Sequence, residues 1–242
     1  MSFDAHFHII DPAHPLVPNE GFVPQPFTVT DYLRQAAPYD ITGGAVVSGS
    51  FQGFDQGYLV DALRQLGPGW VGVTQLDPAT SDEYIVELDR AGVRAVRFTL
   101  ARGGFLDVDL AMRVHDVAGW HTELYVDAAQ LPELAPELSK LPRISVDHLG
   151  LSRAGLPHLL DAVDRGLRVK ATGFGRLQLD IADALRRVDA VNPHALLFGT
   201  DLPGTRAPRA FAMADLDLIT DTLGDSALQR LSDNARSWYR PE

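Results

Sequence analysis

A closed barrel of eight parallel strands, each followed by a helix, is the fold this sequence predicts. Three observations predict it. Short apolar runs alternate with longer amphipathic segments along the whole chain, the pattern of a parallel sheet covered by helices. The alternation repeats eight times in 242 residues, near the length of about 250 that a (β/α)8 barrel takes. Histidine and aspartate fall at the ends of candidate strands that are far apart in sequence, and a barrel gathers all strand ends at one rim. Eight repeats favour closure over the alternative, a doubly wound open sheet. The length leaves little room for a second domain, so residues 1–242 are read as a single TIM-barrel domain.

The candidate strands are Phe3–Ile9, Gly44–Ser48, Trp70–Leu76, Val93–Leu100, Thr122–Val126, Ile144–His148, Arg168–Thr172 and Leu196–Thr200. Most are rich in Val, Ile, Leu or aromatic residues and end in Gly, Pro or Asp. Helical patterns lie between them. Thr30 is placed as the cap of the first, Asp55 opens the next, and Ser81 caps a segment with Ile85, Leu88 and Ala91 on one face. Asp107, Ala129, Arg153 and Gln178 open four more, and an Ala/Leu-rich tail follows Pro208. Gly92, Gly119 and Gly166 stand where a left-handed helix end is wanted. The longest loop, Asp11 to Thr28, carries five prolines and follows the first strand, so it is expected over the catalytic face.

Composition narrows the function. A net charge of −11 and a pI near 5.1 make nucleic acid and anionic membranes poor partners. The absence of cysteine excludes disulfides, thiolate metal sites and a cysteine nucleophile. The start, MSFDAHFHIIDP, shows no secretory signal, and no stretch of about 18 apolar residues is long enough to span a membrane. The expected compartment is the cytoplasm.

The strongest local signal is Asp4-Ala5-His6-Phe7-His8. Strand alternation would put Asp4, His6 and His8 on the barrel's inner face, and Phe3, Ala5 and Phe7 against the helices. Two imidazoles so spaced can chelate one ion, zinc or another borderline metal, or form a hydrogen-bonded pair in a partly wet barrel mouth. His148 ends the sixth candidate strand and Asp201 the eighth, so a barrel would bring all four side chains to one pocket. Taken singly, His148 reads as a satisfied core histidine and Asp201 as a turn cap; their coincidence at strand ends carries the functional reading. His14, His115, His121, His158 and His194 fall in loops, helices or strand starts and are read as structural.

The segments FDAHFHIIDP, VDHLG and FGTDLPGTRAP resemble the amidohydrolase-2 group of the amidohydrolase superfamily, which includes 2-pyrone-4,6-dicarboxylate lactonases and sugar-acid lactonases. The resemblance covers nearly the whole chain. It implies that Asp201 activates the attacking water and that His6, His8 and His148 surround the scissile carbonyl. It also implies substrate-binding roles for Ser50, Arg97, Tyr125 and Arg176, and for Arg102 with a spacing one residue short. One position departs from the dicarboxylate lactonases: Leu151 stands where they carry an arginine, with Arg153 two residues further on.

Members of the superfamily with two metals bridge them through a ligand on strand four or five. Here those strands offer Arg97 and Tyr125, and a guanidinium does not ligate metals. One divalent ion, zinc by preference, on His6, His8 and Asp201 with His148 near by is left open beside a metal-free site. Arg97, Arg102, Arg176, Arg206 and Arg209 all fall at or just after strand ends, and arginine grips carboxylates as a planar fork. For Arg206 and Arg209, surface solubility is an equal reading. The expected substrate is therefore a small, anionic, cyclic ester opened by water. A metal-dependent decarboxylase on the same scaffold, and a non-catalytic barrel that binds a small acid, are the alternatives.

Overall fold

The computed structural model describes residues 2–240. Eight strands form one sheet in chain order: β1 (Ser2–Phe7), β2 (Ile41–Val47), β3 (Trp70–Thr74), β4 (Val93–Phe98), β5 (His121–Leu124), β6 (Ile144–Val146), β7 (Arg168–Ala171) and β8 (Leu196–Phe198). Each pairs in parallel with the next. β8 comes back beside β1, where Asp201 N–H donates to the His6 carbonyl (2.7 Å) and His8 N–H to that of Leu202 (2.8 Å). The chain is a nearly closed (β/α)8 barrel, as its alternation predicts.

Outside lie α1 (Val29–Ala36), α2 (Gly57–Leu66), α3 (Asp82–Arg90), α4 (Val108–Ala118), α5 (Leu131–Leu138), α6 (Leu156–Asp164), α7 (Ile181–Val191), α8 (Met213–Leu223) and α9 (Ala227–Tyr239). Ser81 and Asp107 cap α3 and α4 as expected. Other starts move. Thr28, not Thr30, caps α1, because a capping box needs an acid three residues on: Thr28 Oγ1 accepts from Asp31 N–H, and the Asp31 carboxylate accepts from Thr28 N–H. Asp180 replaces Gln178 at α7 for the same want of a short side-chain acceptor. α2, α5 and α6 begin two or three residues after Asp55, Ala129 and Arg153. None of these helices is long and apolar enough to cross a membrane, among the described residues.

The core has two parts. Val46, Val96, Leu124, Val146, Val169 and Phe198 point from the strands into the helical shell. Phe3, Ala5, Ala45, Val71, Val73, Ala95 and Leu197 fill the lower interior, closed beneath by Ala235 and Tyr239 of α9.

Strict alternation fails in β1, and with it the expectation that Asp4 shares a face with His6 and His8. The register against β2 breaks between Asp4 and Phe7, the signature of an inserted residue. Phe3 and Ala5 belong to the interior cluster, whereas Phe7 stacks on Tyr32 of α1 (ring centroids 3.7 Å). Asp4 also faces the shell, where it accepts from Tyr32 Oη (3.0 Å), Thr200 Oγ1 (2.6 Å), Thr200 N–H (2.8 Å) and His6 N–H (3.1 Å). Its carboxylate thus supplies the hydrogen bonds that the β1–β8 seam lacks. Burial pushes its pKa up to about 6 even though these donors pull it down.

Candidate active site

The chain leaves the sheet just before His8, His148 and Asp201, whereas His6 is still within β1. β6 stops at Val146 and β8 at Phe198, two and three residues short of His148 and Asp201. Both residues have left-handed backbone, φ 52° and φ 60°. Such conformations are costly for non-glycine residues and persist where surrounding contacts enforce them. They turn both side chains back over the barrel mouth. Gly173, itself at φ +69°, makes room: a Cβ there would lie 2.4 Å from His148 Nδ1. At the seam, a Cβ on Gly199 would meet His6 Cβ and N at 3.0 Å.

His6, His8, His148 and Asp201 meet at this mouth. His6 Nε2 lies 3.7 Å and His8 Nε2 3.6 Å from Asp201 Oδ1, and the His6 and His148 rings are 4.9 Å apart. All four residues are buried. His8 Nδ1 lies 2.7 Å from the Val47 carbonyl, an acceptor only, so Nδ1 carries a hydrogen and the neutral ring has its lone pair on Nε2. Burial drives the His6 pKa down to about 3, with Lys170 adding to the fall, and burial likewise holds His148 well below its ordinary value. Burial, the largest single influence, would raise Asp201, but Arg176 first and then His148, His8 and His6 together outweigh it, so the carboxyl stays ionised. Arg176 donates to Asp201 Oδ2 through Nε (3.1 Å) and Nη2, leaving Oδ1 free toward the histidines.

A narrow cleft opens above them, lined by Ser50, Arg97, Arg102, Tyr125, Arg176 and Arg206 together with His8 and His148. These are the six side chains expected to hold substrate. Two guanidinium groups lie over the Tyr125 ring, that of Arg97 at 5.3 Å and that of Arg102 at 5.6 Å from its centroid. Several arginine donors are already engaged. Arg97 gives Nε (3.0 Å) and Nη2 (2.8 Å) to Asp147 Oδ2 and Nη1 (2.7 Å) to the Ser48 carbonyl. The long loop does lie over this face: its Glu20 carboxylate sits 2.9 Å from Arg206 Nη1 and 3.6 Å from Arg102 Nη1. Arg209 is outside the cleft, paired with Asp215. Arg153 is outside as well and does not replace the arginine missing at Leu151.

With this geometry, the comparisons with known proteins become specific. The model of the amidohydrolase family Amidohydro_2 matches residues 3–240. The chain belongs to this amidohydrolase family. It is 28% identical over 284 aligned residues to a 2-pyrone-4,6-dicarboxylate hydrolase of Comamonas testosteroni, covering 99% of this chain and 90% of that one. A probable 2-pyrone-4,6-dicarboxylic acid hydrolase of Acinetobacter baumannii, solved with citric acid bound, superimposes with a TM-score of 0.84 at 19% identity and covers 99% of both chains. A Pseudomonas putida protein given the same assignment superimposes at 0.83 with 25% identity, over 99% of this chain and 97% of that one.

Within this amidohydrolase, two sets of side chains could hold an ion: His6, His8 and Asp201, and His6, Asp147 and His148. In the first, His6 Nε2 and Asp201 Oδ1 are buried without a hydrogen-bond partner, and nitrogen and oxygen donors of this kind suit zinc. The second includes Asp147, which the sequence reading passed over, as it did Lys170 and Glu123. These three form a buried layer beneath the histidines. Lys170 Nζ contacts Glu123 Oε2 and lies 3.4 Å from Asp147 Oδ1. A signal for them was available: Lys170 stands between Val169 and Ala171, and Glu123 between Thr122 and Leu124, so alternation aims both charges inward. Of the five remaining histidines, none lines the cleft. His121 is an interior residue, with Nε2 3.1 Å from Glu123 Oε1 and Nδ1 buried without a partner.

Proposed function

We propose that this chain hydrolyses the cyclic ester of a small, carboxylate-bearing ring. One observation carries the reading: Asp201 is buried and ionised, one of its oxygens is held by Arg176, and the other is free beneath an arginine-lined cleft. A 2-pyrone is itself a lactone, so the relatives named for 2-pyrone-4,6-dicarboxylate point to the same bond.

The steps follow from the donors and acceptors. A water between Asp201 Oδ1 and His8 Nε2 would meet two acceptors 3.6 Å apart, leaving an oxygen lone pair for the ester carbonyl. Asp201 takes the proton as that oxygen bonds to carbon. His6 and His148, whose rings are 4.9 Å apart, hold the negative charge that develops on the carbonyl oxygen. The ring C–O bond breaks, and the proton passes from Asp201 to the leaving oxygen, giving the open hydroxy acid. Arg102, Arg206, Tyr125 and Ser50 hold the substrate carboxylate and the ring in register. Members of this superfamily are often metal-dependent; His6, His8 and Asp201 would hold a single zinc ion, which would polarise the carbonyl as a Lewis acid.

The test is a panel of lactones with and without ring carboxylates, 2-pyrone-4,6-dicarboxylate included, assayed for ring opening and for CO2 release. Carboxylate-bearing lactones should be opened without CO2. Asp201→Asn should lose about 10³-fold or more in kcat while remaining folded. Release of CO2 would transfer the assignment to a decarboxylase, and thermal stabilisation without turnover to a binding protein. Retention of most activity by Asp201→Asn would remove the base.

A further inference from the structure

The charged layer under the cleft has no part in the mechanism above, yet it touches that mechanism at one atom. Lys170, Glu123, Asp147 and His6 are fully buried. Lys170 Nζ faces three acceptors: Glu123 Oε2 in close contact, Asp147 Oδ1 at 3.4 Å and His6 Nδ1 at 3.2 Å. An ammonium has three hydrogens and no lone pair; two of them serve Glu123 Oε2 and His6 Nδ1, while Asp147 Oδ1 is an electrostatic neighbour with no hydrogen bond of its own. The acceptors are themselves fixed. Asp147 Oδ2 takes the Arg97 fork, and Glu123 Oε1 takes Tyr239 Oη and faces His121 Nε2.

His6 Nδ1 therefore meets a donor. A ring nitrogen that accepts a hydrogen bond carries no hydrogen, which leaves the single hydrogen of the neutral ring on Nε2. Asp147 Oδ1 lies 3.3 Å from the same Nδ1, but no hydrogen bond is formed to that oxygen. His8 has the opposite arrangement, since its Nδ1 meets the Val47 carbonyl. Two histidines on one strand thus present unlike groups to the cleft: an N–H from His6 and a lone pair from His8.

We propose that Lys170 is a positioning residue that fixes His6 as the Nε2–H tautomer, so that His6 donates to the oxyanion while His8 accepts from the water. The catalytic half of this rests on the lactone-hydrolase reading; the tautomer does not. An ion on Nε2 requires a lone pair there. Lys170 accordingly works against the ion site of His6, His8 and Asp201, which could fill only after the His6 hydrogen moved to Nδ1 and toward Asp147.

The experiment is long-range proton–nitrogen NMR of the imidazole rings in the full-length, 15N-labelled protein as purified, with His6 assigned by comparison with His6→Gln. In the wild type, His6 should show a bare, pyridine-type Nδ1 and a protonated, pyrrole-type Nε2. The double variant Lys170→Met, Glu123→Gln removes one charge of each sign, so neither partner is left buried alone. Its His6 pattern should reverse, and kcat should fall about 10²-fold with little change in KM. A protonated Nδ1 in the wild type overturns the proposal, as does a variant that keeps the wild-type pattern. If the variant does not fold, the wild-type spectrum decides alone. A spectrum as expected in a protein that opens no lactone would leave the Lys170 assignment standing and remove only the hydrolase reading.

Discussion

At the scale of single residues, the site depends on one pairing. Arg176 holds Asp201 Oδ2 with two donors and is the largest influence that lowers the carboxyl's pKa against burial. A base so depressed stays ionised as pH falls through the usual carboxylate range, so it should set no acidic limit there. Removal of the guanidinium lets burial dominate and moves the Asp201 pKa upward. For Arg176→Met, the acidic limb of kcat/KM should therefore move to higher pH, and activity at neutral pH should drop roughly 10- to 100-fold, the value of a charge-assisted hydrogen bond. A pH–rate series on both proteins checks this; an unmoved limb would detach Arg176 from the base. The four mouth residues were legible in the sequence because each stands at a strand end, where the fold alone specifies its neighbours. The partners of the arginines were not. Nothing local in the sequence says that Arg97 would spend its fork on Asp147, or that Glu20 would reach Arg102 and Arg206 across the loop.

At the scale of elements, the informative places are those where regular geometry breaks. The β6 and β7 ends fit together because Gly173 has no side chain. At φ +69°, alanine would cost about 1–2 kcal/mol in backbone strain before its Cβ met His148 Nδ1. Gly173→Ala should lower the unfolding free energy by at least that amount and reduce kcat by an order of magnitude or more as His148 is displaced. Denaturant unfolding and steady-state kinetics on one preparation measure both, and wild-type kinetics would show that His148 does not need its present place. The β1 bulge is the other break. Period-two reasoning missed it because the inserted residue leaves no trace in composition: Asp4-Ala5-His6-Phe7-His8 reads as clean alternation. Asp4 at the seam carries a pKa of about 6, above its unfolded value. The folded protein therefore binds a proton that the unfolded chain has released between about pH 4 and 6, and the Asp4 contribution to stability falls as pH rises through that window. Depressed carboxylates such as Asp147 have the reverse sign. The stability difference between wild type and Asp4→Asn should shrink from pH 4 to 6 and level off above about 7. Urea titrations at a series of pH values would reveal it, and a difference that grows with pH would place the Asp4 carboxyl elsewhere.

At the scale of the whole molecule, the barrel is filled in layers with separate tasks. The upper layer is His6, His8, His148 and Asp201. The middle is the Lys170, Glu123, Asp147 and Arg97 network, and the bottom is the apolar cluster sealed by α9. The eightfold alternation made the cylinder legible, but the plug was only a tail in the sequence. Its role follows from Ser232, Ala235 and Tyr239 falling on one face of α9, a pattern that becomes meaningful once Phe3 and Ala5 are known to face inward. Ser232 isolates the plug from the chemistry. It is fully buried, and its Oγ accepts the Phe3 N–H at 2.7 Å, a donor that β2 does not satisfy and water cannot reach. Ser232→Ala leaves that N–H unpaired, at a cost of about 1–3 kcal/mol. In a chain of this size the loss corresponds to a fall in Tm of several degrees. Because Ser232 touches neither the middle layer nor the mouth, kcat/KM measured well below the new Tm should stay within about twofold of wild type. Calorimetry paired with kinetics tests the separation. A large fall in kcat/KM without loss of folded protein would mean that the floor of the barrel sets the geometry of its mouth, and that the layers act as one body.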